Sequence, residues 1–361
     1  MKCGVSASVE NRGPMHTICL FLIAVSVGTA DQTTAGALND RGLAAAERRE
    51  FAEAEKLFRE SIAIWEKQGP QFAAHVAIVK MNLAQAFGAE GRRVECAAML
   101  EESLAGFRKT LGIRDLRTLS ALNILGGMYM MLGQSDKAEA LFREALPIER
   151  ELYPGDVQLG RTLGGMASLE LRSGQPTAAL PLAEEALAVI SKAEGENTLD
   201  AALAYANVAE SHRVLGRPER ALPLFRKSRA IYERQLGAEH PRVSSVLTQE
   251  GLLLMGEGKF AMAEEALQRS LGIVERSCPN CAFERAAAEN NLALLRIRQG
   301  KLDDADRLLT HVLTLQEHAP EIPKSEMAVT LQSLAALRKR EKRFEDAERL
   351  KQRAAVLLSY R

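Results

Sequence analysis

The feature that most constrains this chain is a short phrase that recurs at an almost constant interval. Six copies carry a glycine at the same place, and successive glycines are 42, 41, 42, 42 and 42 residues apart. Two further copies have Arg49 and Lys342 instead, each 42 residues from the neighbouring glycine. A fixed period of this length is the signature of a repeat array with one supersecondary unit per copy. The turn glycines are Gly91, Gly133, Gly174, Gly216, Gly258 and Gly300.

Each copy is predicted to form a helical hairpin. A glycine can adopt the left-handed conformation that ends a helix, so the first helix should end at the turn. Five residues after every turn comes a small residue, which lets the two helices approach closely. Aromatic residues make up only 5% of the chain, and the abundant Ala, Leu, Glu and Arg favour helix. The small residues are Ala54, Cys96, Ala138, Ala179, Ala221, Ala263, Ala305 and Ala347.

The phrases NLA at 82–84, LGAEHPRV at 236–243 and KLDDADRLL at 301–309 resemble tetratricopeptide repeats of the kinesin-light-chain type. The resemblance covers residues 35–360 and implies an all-α fold, a right-handed superhelical solenoid of about eight antiparallel helix hairpins. It also implies a protein that holds other proteins rather than an enzyme. The expected repeats span approximately 35–67, 75–110, 117–152, 158–193, 199–235, 242–277, 285–318 and 326–360.

The N-terminus has the pattern of a secretory signal peptide. Lys2 and Arg12 precede the apolar run ICLFLIAVSV at 18–27, and small residues follow at 28–30. A membrane-spanning helix needs about 20 apolar residues, so this run is too short to span comfortably. We expect a signal peptide at 1–30, a solenoid at 31–361, export to the periplasm or medium, and no stable membrane span after cleavage. An uncleaved anchor and a cytoplasmic protein are the alternatives, and either Met1 or Met15 is the start.

Composition and motifs exclude several function classes. Lys plus Arg and Asp plus Glu number 47 each, so no field of one sign favours nucleic acid. The chain contains no metalloprotease, P-loop, dinucleotide-binding or nucleophile-elbow motif. We therefore expect no enzymatic activity, no catalytic residue and no cofactor.

The cysteine pair Cys278 and Cys281 lies in the sequence CPNC between the sixth and seventh copies. In an exported protein we expect a local disulfide there. A redox pair and a metal site completed by His240 and His318 remain alternatives. Cys96 should be a buried packing residue, because it stands at a small-residue position. The methionines Met128, Met130 and Met131 are interpreted as core filler rather than a metal site.

The resemblance implies that the first helices line a concave groove. In this repeat type an asparagine nine residues before the turn holds the backbone of a partner, and Asn82, Asn207 and Asn291 match it. A side-chain amide donates and accepts at once, which suits an extended backbone, but such an asparagine can instead bond a neighbouring helix. Arg172 and Arg298 should add positive charge to the groove. The other candidate groove residues are Gln85, Glu210, Arg213, Gln249 and Lys339.

These features predict an exported scaffold or adaptor that binds a protein or peptide with apolar anchors and some acidic residues. The main alternative is a permanent structural part of an envelope protein assembly. A metal or redox protein acting through the cysteine turn is a weaker alternative.

Overall fold

The computed structural model describes residues 30–277, 282–319 and 324–359. Sixteen α-helices and one short 3₁₀ helix, and no strand, occur within these ranges. The chain is therefore an all-α helical repeat solenoid, as the sequence predicted. Residues 1–29 of the signal segment expected at 1–30, and the pair Cys278 and Cys281, lie outside the described residues.

The helices belong to two compact units, and the division falls between the two helices of the fifth copy of the repeat. The N-terminal unit contains α1 (Ala30–Glu47), α2 (Phe51–Gln68), α3 (Ala73–Glu90), α4 (Arg93–Leu111), α5 (Leu116–Met131), α6 (Ser135–Leu152), α7 (Val157–Arg172), α8 (Pro176–Glu194) and α9 (Leu199–Val214). The C-terminal unit contains α10 (Pro218–Leu236), α11 (Pro241–Gly256), α12 (Phe260–Ser277), α13 (Ala282–Arg298), α14 (Leu302–His318), α15 (Lys324–Arg340) and α16 (Phe344–Ser359). The 3₁₀ helix is Pro70–Phe72, between α2 and α3.

The turn inside each copy has the predicted left-handed geometry. All six turn glycines have φ between 69° and 91°. The backbone amide of the following residue then closes the first helix; for example, the amide of Gln134 donates to the carbonyl of Tyr129 at 2.8 Å. Arg49 and Lys342 adopt the same conformation, with φ of 61° and 62°. An L-residue with a side chain is strained there, so the first and last copies keep the turn at a cost.

Close helix crossings form the core of each hairpin. All eight small residues that follow the turns are buried, as predicted. The crossing of α5 and α6 shows why the first helix also needs small residues: a Cβ on Gly126 would lie 2.6 Å from the ring of Phe142. Such a contact is impossible without a shift, so the glycine allows the phenylalanine to pack.

Buried serines tie the two helices of several hairpins together. The hydroxyl of Ser61 donates to the carbonyl of Ala35 at 2.7 Å, and Ser103 bonds Ala77 in the same way at 2.7 Å. Both serines follow their turn by twelve residues. Because a buried hydroxyl must be hydrogen-bonded, this position fixes the helix pair as well as filling it.

Candidate functional site

One face of the first helices is left partly open in both units. Positions thirteen, nine, six and two residues before the turn are spaced so that they share a helix face. We call these positions the first-helix face. Several carry large apolar side chains that remain exposed: Met131, Leu203 and Val214 are 59%, 47% and 42% exposed in the N-terminal unit, and Leu294 and Val329 are 40% and 53% exposed in the C-terminal unit.

Two of the three candidate asparagines bond neighbouring first helices. The amide nitrogen of Asn82 donates to the side-chain oxygen of Asn39 at 2.8 Å. The amide nitrogen of Asn207 donates to the carbonyl of Gly164 at 3.3 Å, and Ser168 donates to its oxygen at 3.5 Å. These contacts match the alternative interpretation, in which such an asparagine bonds a neighbouring helix. Each amide could still form further hydrogen bonds. Their role in holding a partner stays a prediction.

Asn291 differs from the other two asparagines. Its side chain is half-buried on α13 and makes no hydrogen bond to any described residue. The adjacent Asn290 donates instead to Thr330 on α15 at 3.1 Å. Packing between repeats therefore uses Asn290 and leaves the amide of Asn291 available on the first-helix face.

The two candidate glutamines also carry unused acceptors. Gln85 and Gln249 are half-buried, and the Oε1 atom of each is buried with no hydrogen-bond partner among the described residues. A buried unsatisfied amide oxygen costs free energy, so a rotation that brings it to a donor would be favourable. Both side chains are suited to accept from the backbone N–H of a partner.

The charged candidates on α9 neutralise each other. Arg213 and Glu210 form an ion pair at 2.6 Å, and their hydrogen bond raises the pKa of the arginine. On α7, Arg161 pairs with Asp200 at 2.6 Å, and Arg172 donates to the carbonyl of Met130 at 2.8 Å. The positive charge of Arg213 is thus neutralised within the N-terminal unit, whereas the bond from Arg172 to a carbonyl leaves its charge in place.

Positive charge is less engaged in the C-terminal unit. Arg298 on α13 and Lys339 on α15 are exposed and have no ion-pair partner among the described residues. Arg340 donates to the carbonyl of Ile297 at 3.2 Å, which does not neutralise its charge. No acidic residue occupies the face of α11, α13 or α15. This part of the face is therefore basic as well as apolar.

The remaining sequence candidates have local structural roles where they are described. His240 caps α11, its Nδ1 accepting from the amide of Arg242 at 3.1 Å, and the Nδ1 of His318 lies 2.8 Å from the carbonyl of Thr314. Cys96 is buried, and burial raises the pKa of its thiol to about 11. Within the described ranges, no group of three or more His, Cys, Asp and Glu side chains could hold a metal ion. None of the described helices is both long and apolar enough to cross a membrane.

The interpretation of the three methionines as core filler is wrong for Met131. Met128 and Met130 are half-buried against the core, but Met131 is 59% exposed. The reason is the position of Met131 two residues before the turn. This position lies on the open first-helix face rather than on the buried side of the helix. Sequence register alone would have been enough to recognise this.

The sequence analysis did not predict a buried polar cluster that lies between α5, α6 and α7. Glu149 is fully buried, and one of its carboxylate oxygens accepts from the amide of Asn123 at 3.1 Å. Thr162 donates to the other end of Asn123 at 2.5 Å. The position of Glu149 could have indicated that it is buried. It follows its turn by sixteen residues, where other copies have Trp65 or Phe107.

Comparisons with known proteins agree with this architecture. Family models described as tetratricopeptide repeat match residues 34–67, 75–151, 158–234 and 200–276. A curated relative, Protein KINESIN LIGHT CHAIN-RELATED 1 of Arabidopsis thaliana, is 23% identical over 222 residues, which is 61% of this chain and 36% of that protein. The chain thus spans just over a third of the length of this relative.

Solved structures show the same fold at low identity. BtubC (BKLC) from P. vanneervenii has a TM-score of 0.50 at 22% identity, covering 64% of this chain and 92% of that one. A Rap protein complexed with Competence and Sporulation Factor has a TM-score of 0.58 at 14% identity, covering 91% and 98%. Together with the hairpin geometry and the 42-residue period, the family models lead to one conclusion: the chain belongs to the tetratricopeptide repeat family.

Proposed function

We propose that this protein is a non-catalytic scaffold or adaptor that binds a protein or peptide segment on its first-helix face. Tetratricopeptide folds are typical of protein-binding adaptors, and a Rap protein of similar fold has been solved in complex with Competence and Sporulation Factor. The observation that carries the proposal is on α13, where the unbonded amide of Asn291 is one turn from the exposed side chain of Leu294. An amide for the backbone and an apolar surface for a side chain are what an extended segment requires.

The chemistry of the C-terminal unit favours a segment with apolar anchors and acidic residues. Leu294 and Val329 offer apolar contact, and Arg298 and Lys339 offer unpaired positive charge on the same helices. Opposite charge speeds encounter and suppresses wrong partners more than it raises affinity. The partner of this unit is therefore proposed to be an acidic rather than a basic segment.

The asparagine pair on α13 gives a test with a built-in control. After a partner has been identified by proximity labelling, Asn291→Ala should weaken its binding several-fold at most, because one net hydrogen bond contributes about 0.5–1.5 kcal/mol. Asn290→Ala removes the bond to Thr330 and should lower stability while leaving affinity within a factor of about two. Titration calorimetry and urea unfolding separate the two effects. An unchanged affinity in Asn291→Ala, Asn82→Ala and Asn207→Ala combined would place binding elsewhere and favour a structural assembly role.

Export remains part of the proposal, on the basis of the charged leader and apolar run before residue 30. Mass spectrometry of the native N-terminus should find residues 1–30 removed. An intact Met1 or Met15 in the cytoplasmic fraction would refute it. In the same material we expect a Cys278–Cys281 disulfide, and two free thiols in freshly isolated protein would contradict that expectation.

A further inference from the structure

The buried cluster around Glu149 lies where the third copy of the repeat packs against the fourth. Glu149 follows its turn by sixteen residues, a position that contacts the next copy: the ring of Trp65, for example, stacks on that of His75 at 4.6 Å. The first seven copies all bury this residue, but only the third has a carboxyl group there. The matching residues in the other six copies are Trp65, Phe107, Ile190, Tyr232, Val274 and Gln316.

The cluster also holds the first helices of the third and fourth copies together. The side-chain amide of Asn123 on α5 donates to the backbone carbonyl of Gln158 on α7 at 3.3 Å, and Thr162 of α7 donates back to Asn123 at 2.5 Å. The side-chain amide of Gln158 donates to the hydroxyl of Ser120 at 3.4 Å. All four side chains are buried. A disturbance of the cluster is therefore transmitted to both α5 and α7.

Glu149 is bonded through one carboxyl oxygen only. Its Oε1 accepts from Asn123 at 3.1 Å, whereas its Oε2 is buried with no hydrogen-bond partner among the described residues. A buried carboxylate is tolerated when it is paired with a cation and its oxygens are hydrogen-bonded. The surroundings of Glu149 therefore suit a neutral carboxylic acid better than a carboxylate.

The charges around Glu149 do not compensate for its ionisation. Burial raises the pKa of Glu149, and the negative charge of Asp156, the N-cap of α7, raises it further, whereas hydrogen bonds from Thr162 and Asn123 oppose the shift. Within the described chain no cation pairs with Glu149. The arginines beside the cluster on α5, α6 and α7 have other acidic partners: Arg117 pairs with Asp115, Arg150 with Glu185 and Arg161 with Asp200.

Loss of the Glu149 proton would leave a buried charge with no partner, which is strongly unfavourable. Contact with water relieves it, and such contact requires α6 and α7 to separate locally while the rest of the array stays folded. The buried Glu250 of the C-terminal unit does not face this difficulty, because Arg229 lies 2.7 Å away.

We propose that the junction between the third and fourth copies is a pH-sensitive hinge, closed while Glu149 is neutral and opened between α6 and α7 when Glu149 loses its proton. Because α5 and α7 carry part of the first-helix face, the opening changes that face in the N-terminal unit. The inference goes beyond the proposed function and does not depend on the identity of a partner.

Hydrogen exchange measured by mass spectrometry on the full chain follows the hinge directly, after correction for the intrinsic pH dependence of exchange. Above the folded pKa of Glu149, protection of the first half of α7 should fall by about tenfold per pH unit, because the opening is linked to the loss of one proton. A series from about pH 5 to 9 includes the range in which buried glutamic acids titrate. Helix α13, whose buried Glu289 pairs with Arg285 at 2.9 Å, should not show this slope.

Three variants assign the slope to Glu149. Glu149→Gln keeps the size of the side chain but cannot ionise, so the protection of α7 should no longer depend on pH. Glu149→Leu, which resembles the Ile190 of the next copy, should give the same result by a different packing. Glu151→Gln is the matched control, because Glu151 is an exposed residue of α6 paired with Arg114, and its change should leave the wild-type slope intact.

A wild-type slope in Glu149→Gln or Glu149→Leu would overturn the hinge, as would protection of α7 that does not change with pH in the wild type. A loss of protection of equal size in all helices would also overturn it, because the chain would then be unfolding as a whole rather than opening at one junction.

Discussion

In the C-terminal unit the buried carboxylates of Glu250 and Glu289 each meet a cation, whereas in the N-terminal unit the buried Glu149 meets only neutral groups. Glu250 lies 2.7 Å from Arg229, and Glu289 lies 2.9 Å from Arg285. Burial raises the pKa of Glu149, so its neutral form is favoured. A charge removed from water must be paired or take up a proton, and the two units use different solutions.

On the surface the contrast is reversed. The N-terminal unit pairs Arg161 with Asp200 and Arg213 with Glu210, while the C-terminal unit leaves Arg298 and Lys339 unpaired. One repeat architecture thus carries two chemically different faces. The hairpin core is set by a few positions in each copy, and the face positions are free to vary, which is how a repeat scaffold acquires specificity without changing its fold.

The largest expected effect is a loss of stability that should be the same in both units. Leu125 and Leu292 are buried at matching positions in the two units, at 2% and 5% exposure. Either change to alanine should lower the free energy of unfolding by about 2–5 kcal/mol through cavity formation. Leu294→Ala is the control, since an exposed leucine should cost under about 0.5 kcal/mol. Urea unfolding measures all three, and a loss confined to one unit's variant would show that the two cores are not equivalent.

A somewhat smaller effect sharpens the contrast between buried carboxylates. Arg229→Ala leaves Glu250 buried without its cation and should cost about 3 kcal/mol. Glu149 has no cation to lose, so no single arginine change in the N-terminal unit should match this cost. Thermal unfolding of Arg229→Ala with Glu250→Leu should recover most of the loss. No recovery in the double variant would mean that the arginine acts through packing rather than charge.

Two carboxyl groups, one in each unit, should make opposite contributions to the pH dependence of stability. The folded pKa of Glu149 is raised above 4.5 by burial, so its stabilising contribution is complete below the unfolded pKa and is lost as pH rises through the folded value. The pKa of Glu264, bonded to Arg296, is lowered to about 2, so its contribution is present above the unfolded pKa and is lost as pH falls towards 2. Glu149→Gln should remove the first dependence of stability on pH, and Glu264→Gln should remove the second. Unfolding curves from about pH 3 to 7 measure both, because this range includes the ordinary carboxyl pKa of about 4.3. Identical pH profiles for the two variants would contradict this account.

The smallest expected effect concerns the strained turns at the ends of the array. Lys342→Gly and Arg49→Gly should each stabilise the chain by about 1 kcal/mol, because glycine adopts positive φ without strain. Gly133→Ala is the converse change and should destabilise by a similar amount. Equal midpoints for Lys342→Gly and the wild type would show that the left-handed turn is not strained there.

The hairpins could be predicted from sequence because their determinants repeat locally. The turn glycine and the small residue five positions later, such as Gly133 and Ala138, specify the helix end and the crossing within a single copy. Contacts between copies could not be predicted in the same way. Asn82 bonds Asn39, 43 residues earlier, and Thr162 bonds Asn123, 39 residues earlier.

These partners depend on which residues happen to occupy variable positions of a neighbouring helix. Nothing in the asparagine itself distinguishes a bonded amide, as at Asn207, from an unbonded one, as at Asn291. The helix face of the candidate site and the spacing of its residues could therefore be predicted from the sequence. The division of its polar residues between packing and binding was not.

The central claim, that the first-helix face holds the partner, is tested most directly by site-specific photocrosslinking in the native host. A photoreactive amino acid replaces Met131 or Leu294 on the first-helix face, and Ala188 or Thr314 on exposed positions of the second helices α8 and α14. The account predicts that a partner is captured from the first-helix positions and not from the second-helix positions. Capture from Ala188 or Thr314 alone would contradict it and would favour a structural part of an assembly.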